Sequence, residues 1–134
     1  MDIYTDGAYS GLKKTGGWAF YIPELHIRVC GKVTTDDATN NRMELMGAIK
    51  ALEFIDESNV EDKEITIWSD SQYLVETMAG QFKQKTNLDL WSNLDDLKDT
   101  LFSKKIIFKY IKGHSGLKDG NNTADILANL ISQI

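Results

Sequence analysis

Four acidic residues stand where this chain changes local character. Asp6 precedes Gly7, Glu44 follows Asn41-Arg42-Met43, Asp70 follows the apolar run Ile65-Thr66-Ile67-Trp68, and Asp125 opens an apolar repeat near the C-terminus. Carboxylates brought together repel and raise one another's pKa unless a cation neutralises them. Ligand sets made only of Asp and Glu oxygens select hard ions such as Mg²⁺ or Mn²⁺. Two such ions about 4 Å apart stabilise both the attacking and the leaving oxygen of a phosphodiester displacement. One cysteine, Cys30, and two histidines leave no cluster of zinc-binding type. GLKKTGG (11–17) lacks the spacing of a nucleotide-binding glycine loop.

Each acid also has an ordinary explanation. Asp6-Gly7 reads as a turn. Asn41 to Glu44 reads as a capping box in which Glu44 reaches back to the cap residue. Asp70 suits the cap of a following helix, and Asp125 the positive end of the last one. The metal reading depends on the elements that bring the four together.

Residues 2–9 read as a strand ending at the Asp6-Gly7 break, so that Asp6 lies at its end. WAFYIP (18–23) and HIRVCGKV (26–33) follow as two more strands, joined near Pro23-Glu24. From Asn41 to about Ser58 the period changes, with Leu45, Ala48, Ile49, Leu52 and Ile55 on one helical face and Glu44 in the first turn. A strand is predicted over 64–69, helices over 71–78 and 89–102, a strand over 105–111 and a helix over 122–133 with Asp125 in its first turn. Three early strands fit a meander, and helical crossovers demand parallel pairing of the later ones. The prediction is an α/β fold, a single domain over 1–134 built on one mixed five-stranded sheet flanked by helices. Were the first and fourth strands neighbours, Asp6 and Asp70 would emerge side by side, with Glu44 and Asp125 delivered by helices. Ligands of such sheets sit at the carboxyl ends of strands.

With 134 residues, 42% of them hydrophobic, and one proline, the chain suits a single compact domain. No apolar run reaches the roughly 20 residues that span a bilayer, and the N-terminus lacks the marks of a secretory signal. The lone cysteine suits a reducing compartment. A soluble, cytoplasmic monomer is expected. Net charge is −5, which opposes tight nonspecific binding to phosphate backbones, but its distribution is uneven. Residues 53–64 hold six acids against Lys63, whereas 104–118 hold five lysines, His114 and no acid. The plain explanation is a pair of solvated faces. Trp18, Trp68 and Trp91 fall inside predicted strands and a helix, where packing explains them better than base stacking.

TDG (5–7), TNNRMEL (39–45), SDSQY (69–73) and GHSG (113–116) followed by NNTADILA (121–128) resemble type 1 ribonuclease H, in that order and over nearly the whole chain. The resemblance implies hydrolysis of the RNA strand of RNA–DNA hybrids, two Mg²⁺ ions (Mn²⁺ substituting), a water nucleophile, and 5′-phosphate and 3′-hydroxyl ends. The family's metal carboxylates fall on Asp6, Glu44, Asp70 and Asp125. On this reading Asp6 bridges the ions, Glu44 and Asp70 hold the one that orients water, and Asp125 the one beside the leaving oxygen. His114 matches a histidine that moves a proton or helps product leave, a role suited to a group titrating near neutrality. Asn40, Asn41 and Gln72 match contacts near the scissile phosphate, and Thr39 the start of the segment holding the DNA phosphate. Gly7 permits close approach to the RNA strand, whose 2′-hydroxyl distinguishes it from DNA. The ordinary alternatives are helix capping for Asn40 and Asn41 and a backbone-bonding loop residue for His114.

The chain also departs from the family pattern. Many bacterial members carry a basic, tryptophan-containing projection after SDSQY; here only eighteen positions separate Tyr73 from Trp91, and AGQFKQKTN supplies Lys83 and Lys85 alone. Leu12 replaces a frequent asparagine in the first loop, Tyr9 stands where a small residue is common, and the segment from His114 to Asp125 is one residue longer. Hybrid binding is therefore expected to be weak and salt-sensitive, with Lys104, Lys105, Lys109 and Lys112 partly replacing the lost surface. Alternatives are a catalytically weak or inactive relative that binds nucleic acid, another nuclease on the same fold, or a reverse-transcriptase domain.

Overall fold

The chain alternates strand and helix as its hydrophobic periods dictate. β1 (Asp2–Ser10), β2 (Thr15–Ile22) and β3 (Ile27–Val33) form an antiparallel meander, with a 3₁₀ turn at Pro23–Leu25 between the last two. Then come α1 (Asn40–Glu57), β4 (Glu64–Ser69), α2 (Gln72–Met78), α3 (Leu88–Thr100), β5 (Lys105–Tyr110) and α4 (Gly120–Gln133). These are features of a computed structural model, which describes residues 1–112 and 120–133. His114 and Lys118 lie outside the described residues.

The sheet order is β3-β2-β1-β4-β5, with β4 parallel to both β1 and β5. This is the predicted five-stranded mixed α/β sheet in a single domain, and β1 and β4 are indeed neighbours. One face is covered by α1, with α3 packed against it and α2 against β4 and β5, and the other by α4 lying across β1, β2 and β3. Leu45, Ala48, Ile49, Leu52 and Ile55 of α1 are all buried against Ile3, Phe20, Ile65 and Ile67, as the helical spacing foretold. On the other face α4 presents the small buried residues Ala124 and Ala128, and Gly17 of β2 has no side chain to hold the helix off: a Cβ there would strike Ala128 and Ile131.

Trp18 and Trp91 are buried in this core, and Trp68 stacks on Tyr4 at the sheet surface with its indole N–H donated to Asp2 at 2.9 Å. All three therefore pack as expected. No described helix is long and apolar enough to cross a membrane.

The first strand does not end at Asp6-Gly7. The β2 ladder runs on through Asp6↔Ala19 and Gly7↔Trp18 to Ser10↔Thr15, and the chain reverses only at 11–14. Pairing of β1 with β4, in contrast, stops at Tyr4↔Trp68. Asp6 is thus inside one ladder and beyond the end of the other. The two strands part just below it, and the sheet opens a notch.

Candidate active site

Three elements deliver carboxylates to this notch. Asp6 projects from β1 two residues past its last pairing with β4, and Asp70 stands two residues past Trp68 at the same level. Glu44 comes from α1, one helical turn beyond the cap. Each of the three places a carboxylate oxygen within 4.8 Å of the others.

None of the ordinary explanations accounts for them. The cap of α1 is Thr39, whose side chain accepts from Arg42 N–H at 3.1 Å, so Glu44 is not part of a capping box and is buried instead. α2 is capped by Ser71, whose hydroxyl accepts from Leu74 N–H at 3.1 Å, leaving Asp70 outside that role. Asp6 is mid-ladder rather than in a turn. Asp125 sits past the first turn of α4, which begins at Gly120. It lines the same cleft as the other three, and its carboxylate accepts from Asn129 Nδ2 at 3.0 Å.

The electrostatics match an ion site. Burial first, then repulsion from Glu44 and Asp70, holds the Asp6 carboxyl far above its usual range. Burial also raises Glu44, with Asp70 and Asp125 adding to it and a hydrogen bond with Asp6 opposing. Without a cation such a cluster retains protons at neutral pH. Asp6 Oδ2 and Glu44 Oε2 are buried and receive no hydrogen bond from a donor among the described residues, although buried polar atoms are almost always paired. Oxygen-only donors with unused lone pairs fit a hard divalent cation.

The cleft of about 500 Å³ around these acids is also lined by Gly7, Tyr9, Asn40, Asn41, Gln72 and Tyr73. Asn40 and Asn41 are exposed, leave the cap of α1 to Thr39, and line the cleft. Thr39 spends its hydroxyl on the cap and is not part of the lining. Gly7 does line the cleft, but α1 itself requires the glycine: a Cβ there would collide with the backbone of Met43 and Glu44.

Asn129 and Tyr73 are among the cleft residues to which sequence reasoning assigns no role. The signal for Asn129 is its i, i+4 spacing from Asp125. Tyr73 lies in the SDSQY motif without an evident role, yet in the structure it is a hub. Its hydroxyl accepts from Trp91 Nε1 at 2.9 Å and Asn87 Nδ2 at 3.1 Å, while Asn87 Oδ1 accepts from Arg42 at 3.3 Å. Burial raises the Tyr73 pKa, but hydrogen bonds with Thr86, Asn87 and Trp91 outweigh it and the net shift is downward. Arg42 also forms a two-pronged pair with Asp89 at 2.9 and 2.8 Å, which pulls that carboxyl down to about 2. The network ties the start of α1 to the starts of α2 and α3, and so to Glu44 and Asp70.

The RNase H family model matches residues 1–133. The chain belongs to the RNase H family. Proteins named ribonuclease H from Ruthia magnifica and Maricaulis maris are each 36% identical to it, over 96% of this chain and 92% and 90% of theirs. The relative from Francisella philomiragia is 35% identical over 94% of this chain and 86% of its own. The N-terminal RNase H domain of Rv2228c from Mycobacterium tuberculosis, solved as a fusion with maltose-binding protein, shares the fold at a TM-score of 0.75, 23% identity, 98% of this chain and 94% of that one. Family membership makes this RNase H a hydrolase.

The lysines expected to replace the missing projection are not all available. Lys104 donates its ammonium to the carbonyls of Val60 and Asp62, and with Lys105 it lies at the amino end of β5, away from the cleft. Lys109 sits over the Trp68 ring, 5.4 Å from its centroid. Of these four lysines, only Lys109 and Lys112 are at the end of the sheet that carries the acids.

Proposed function

We propose that the protein cleaves the RNA strand of RNA–DNA hybrids by metal-assisted hydrolysis, leaving 5′-phosphate and 3′-hydroxyl ends. The observation that carries this reading is the convergence of Asp6, Glu44 and Asp70 within 4.8 Å, two of them with buried oxygens that no group among the described residues satisfies. Asp6, Glu44 and Asp70 would hold one divalent ion, and Asp125 with Asp6 a second, Mg²⁺ with Mn²⁺ substituting. Such ions generate a nucleophilic hydroxide and offset charge on the leaving oxygen.

The remaining work belongs to side chains. Asn129 holds the Asp125 carboxylate in one orientation. Asn40, Asn41 and Gln72 offer neutral amides at the mouth of the cleft, suited to sugar and phosphate oxygens that must be gripped without competing with the acids for cations. His114 is assigned the proton-moving or product-release role, Thr39 the placing of the DNA strand through the segment it caps, and Gly7 the approach to the RNA strand. The expected setting is a cytoplasmic monomer whose partner is the hybrid.

The decisive assay incubates labelled hybrid, duplex RNA, duplex DNA and single strands with and without Mg²⁺. Cleavage confined to the RNA of the hybrid, dependent on Mg²⁺, is expected; equal cutting of duplex RNA or metal-independent cutting overturns the reading. Asp70→Asn removes ligand charge without volume and is expected to lower kcat at least about 10²-fold with an unchanged circular dichroism spectrum.

A further inference from the structure

Asp125 reaches the notch from α4, on the opposite face of the sheet from α1, and stands apart from the other three acids. Among the described residues, the acids whose oxygens lie mutually within 4.8 Å are Asp6, Glu44 and Asp70. Asp125 approaches that group through Asp6, whose carboxyl it meets within hydrogen-bonding reach. Asp6 and Glu44 are buried where α1 packs on β1, whereas Asp125 is half-buried on its helix. A side chain so placed can turn among several staggered rotamers, and they do not all aim its carboxylate at the sheet.

One neighbour restricts it. Asn129 lies one turn further along α4, and its Nδ2 donates twice to the same residue, to the Asp125 carbonyl at 2.9 Å and to the Asp125 carboxylate at 3.0 Å. Two bonds from one nitrogen tie the carboxylate to its own backbone and so select its rotamer. The tie offers the fold little: Asn129 is exposed and outside the core, and such pairs one helical turn apart stabilise a helix only slightly. It offers an ion more. A neutral amide orients the carboxylate and leaves it the whole of its negative charge. A lysine or arginine at the same spacing would also pair with it, but would then repel any cation brought to the cleft.

We propose that Asn129 is a positioning residue for the ion assigned to Asp6 and Asp125. By holding the Asp125 carboxylate toward Asp6, it sets how tightly that ion is held. Asn129 acts through Asp125 and is not itself a ligand. This deepens the metal-assisted reading given under the proposed function and rests on it.

Mn²⁺ binding to the free protein, followed by calorimetry, is the direct test. The binding constant that Asp125→Asn weakens identifies the ion in question. Asn129→Ala is expected to weaken the same constant by about tenfold, the lower end of what removing a donor to a metal ligand does. Asn129→Gln keeps an amide that can reach a carboxylate one turn away and is expected to restore most of the affinity. In the Asp125→Asn background, Asn129→Ala is expected to add no further loss, because the two changes break one link. In hybrid cleavage the deficit of Asn129→Ala should appear at limiting Mg²⁺ and be largely recovered as Mg²⁺ is raised. Melting in EDTA confirms that each variant is folded.

Wild-type Mn²⁺ affinity in Asn129→Ala, alone or with a lowered melting temperature, overturns the proposal. So does an equal further loss in the Asp125→Asn background, or a set of constants that Asp125→Asn leaves untouched. Any of these results with a wild-type protein that cleaves hybrid refutes this proposal alone; a wild-type protein that binds no divalent ion and cleaves no hybrid refutes the function itself.

Discussion

At the scale of single residues, the distinctive fact is that folding disfavours the ionised form of two buried carboxyls. Asp6 and Glu44 both titrate above their ordinary values. Between the usual carboxylate range and those raised values the folded chain binds more protons than the unfolded one, so stability without metal must fall as pH rises through that window. The lowered carboxyls, Asp37 and Asp89, act in the opposite sense and only at lower pH. In EDTA the melting temperature is therefore expected to decline from about pH 5 to about pH 8, and Mg²⁺ is expected to restore more of it at the alkaline end, because there the ion displaces fewer protons. Asp6→Asn should raise the melting temperature in EDTA at neutral pH, flatten the decline and abolish most of the Mg²⁺ response. A metal-free melting temperature that rose with pH would contradict the buried-acid picture directly.

At the scale of elements, the site depends on how closely α1 lies on β1. Gly7 is the point of closest approach, where any side chain meets the backbone that carries Glu44. Gly7→Ala is expected to cost about 1–3 kcal/mol by overpacking, and to lower kcat as well, because the only relief is a shift of α1 that withdraws Glu44. A melting curve and steady-state kinetics would check both, and an active, fully stable variant would show that α1 has slack. Sequence pattern revealed the five strands and four helices of the described residues, the longer helices through the spacing of one apolar face and the strands through β-branched and aromatic runs between turn signals. It misjudged β1 at Asp6-Gly7, since a local turn signal cannot register that β2 continues the ladder on one side after β4 has stopped on the other. Capping residues misled for a related reason. Asn41 looked like a cap because asparagine is a good one, yet Thr39 performs that task, and Glu44 is thereby left to the cleft. The four acids were legible as a set through the family motifs; the Tyr73–Asn87–Arg42 brace was not, because it joins residues up to 45 positions apart.

At the scale of the whole molecule, charge is sorted along the strands. β1, β4 and β5 run in one direction, and Lys13, Lys14, Lys83, Lys85, Lys109 and Lys112 lie at or beyond their carboxyl ends, around the cleft. α1 runs back the other way, so the acidic stretch 53–64 is carried to the amino end. The net charge of −5 therefore repels a polyanion at long range, while the end that must meet it carries the lysines. Screening separates these two effects, because the Debye length is about 10 Å at 0.1 M salt and about 30 Å at 0.01 M. Neutralising the remote pole with Glu57→Gln and Glu61→Gln should raise the association rate with hybrid at low salt by about two- to threefold, a modest share of what steering can reach. The gain should vanish near 0.15 M, where the Debye length is about 8 Å, with kcat unaltered throughout. Stopped-flow association at the two salt concentrations distinguishes the outcomes. A gain that persisted at the higher salt would mean that the acidic run touches the substrate, and the orientation of the duplex on the sheet would have to be reversed.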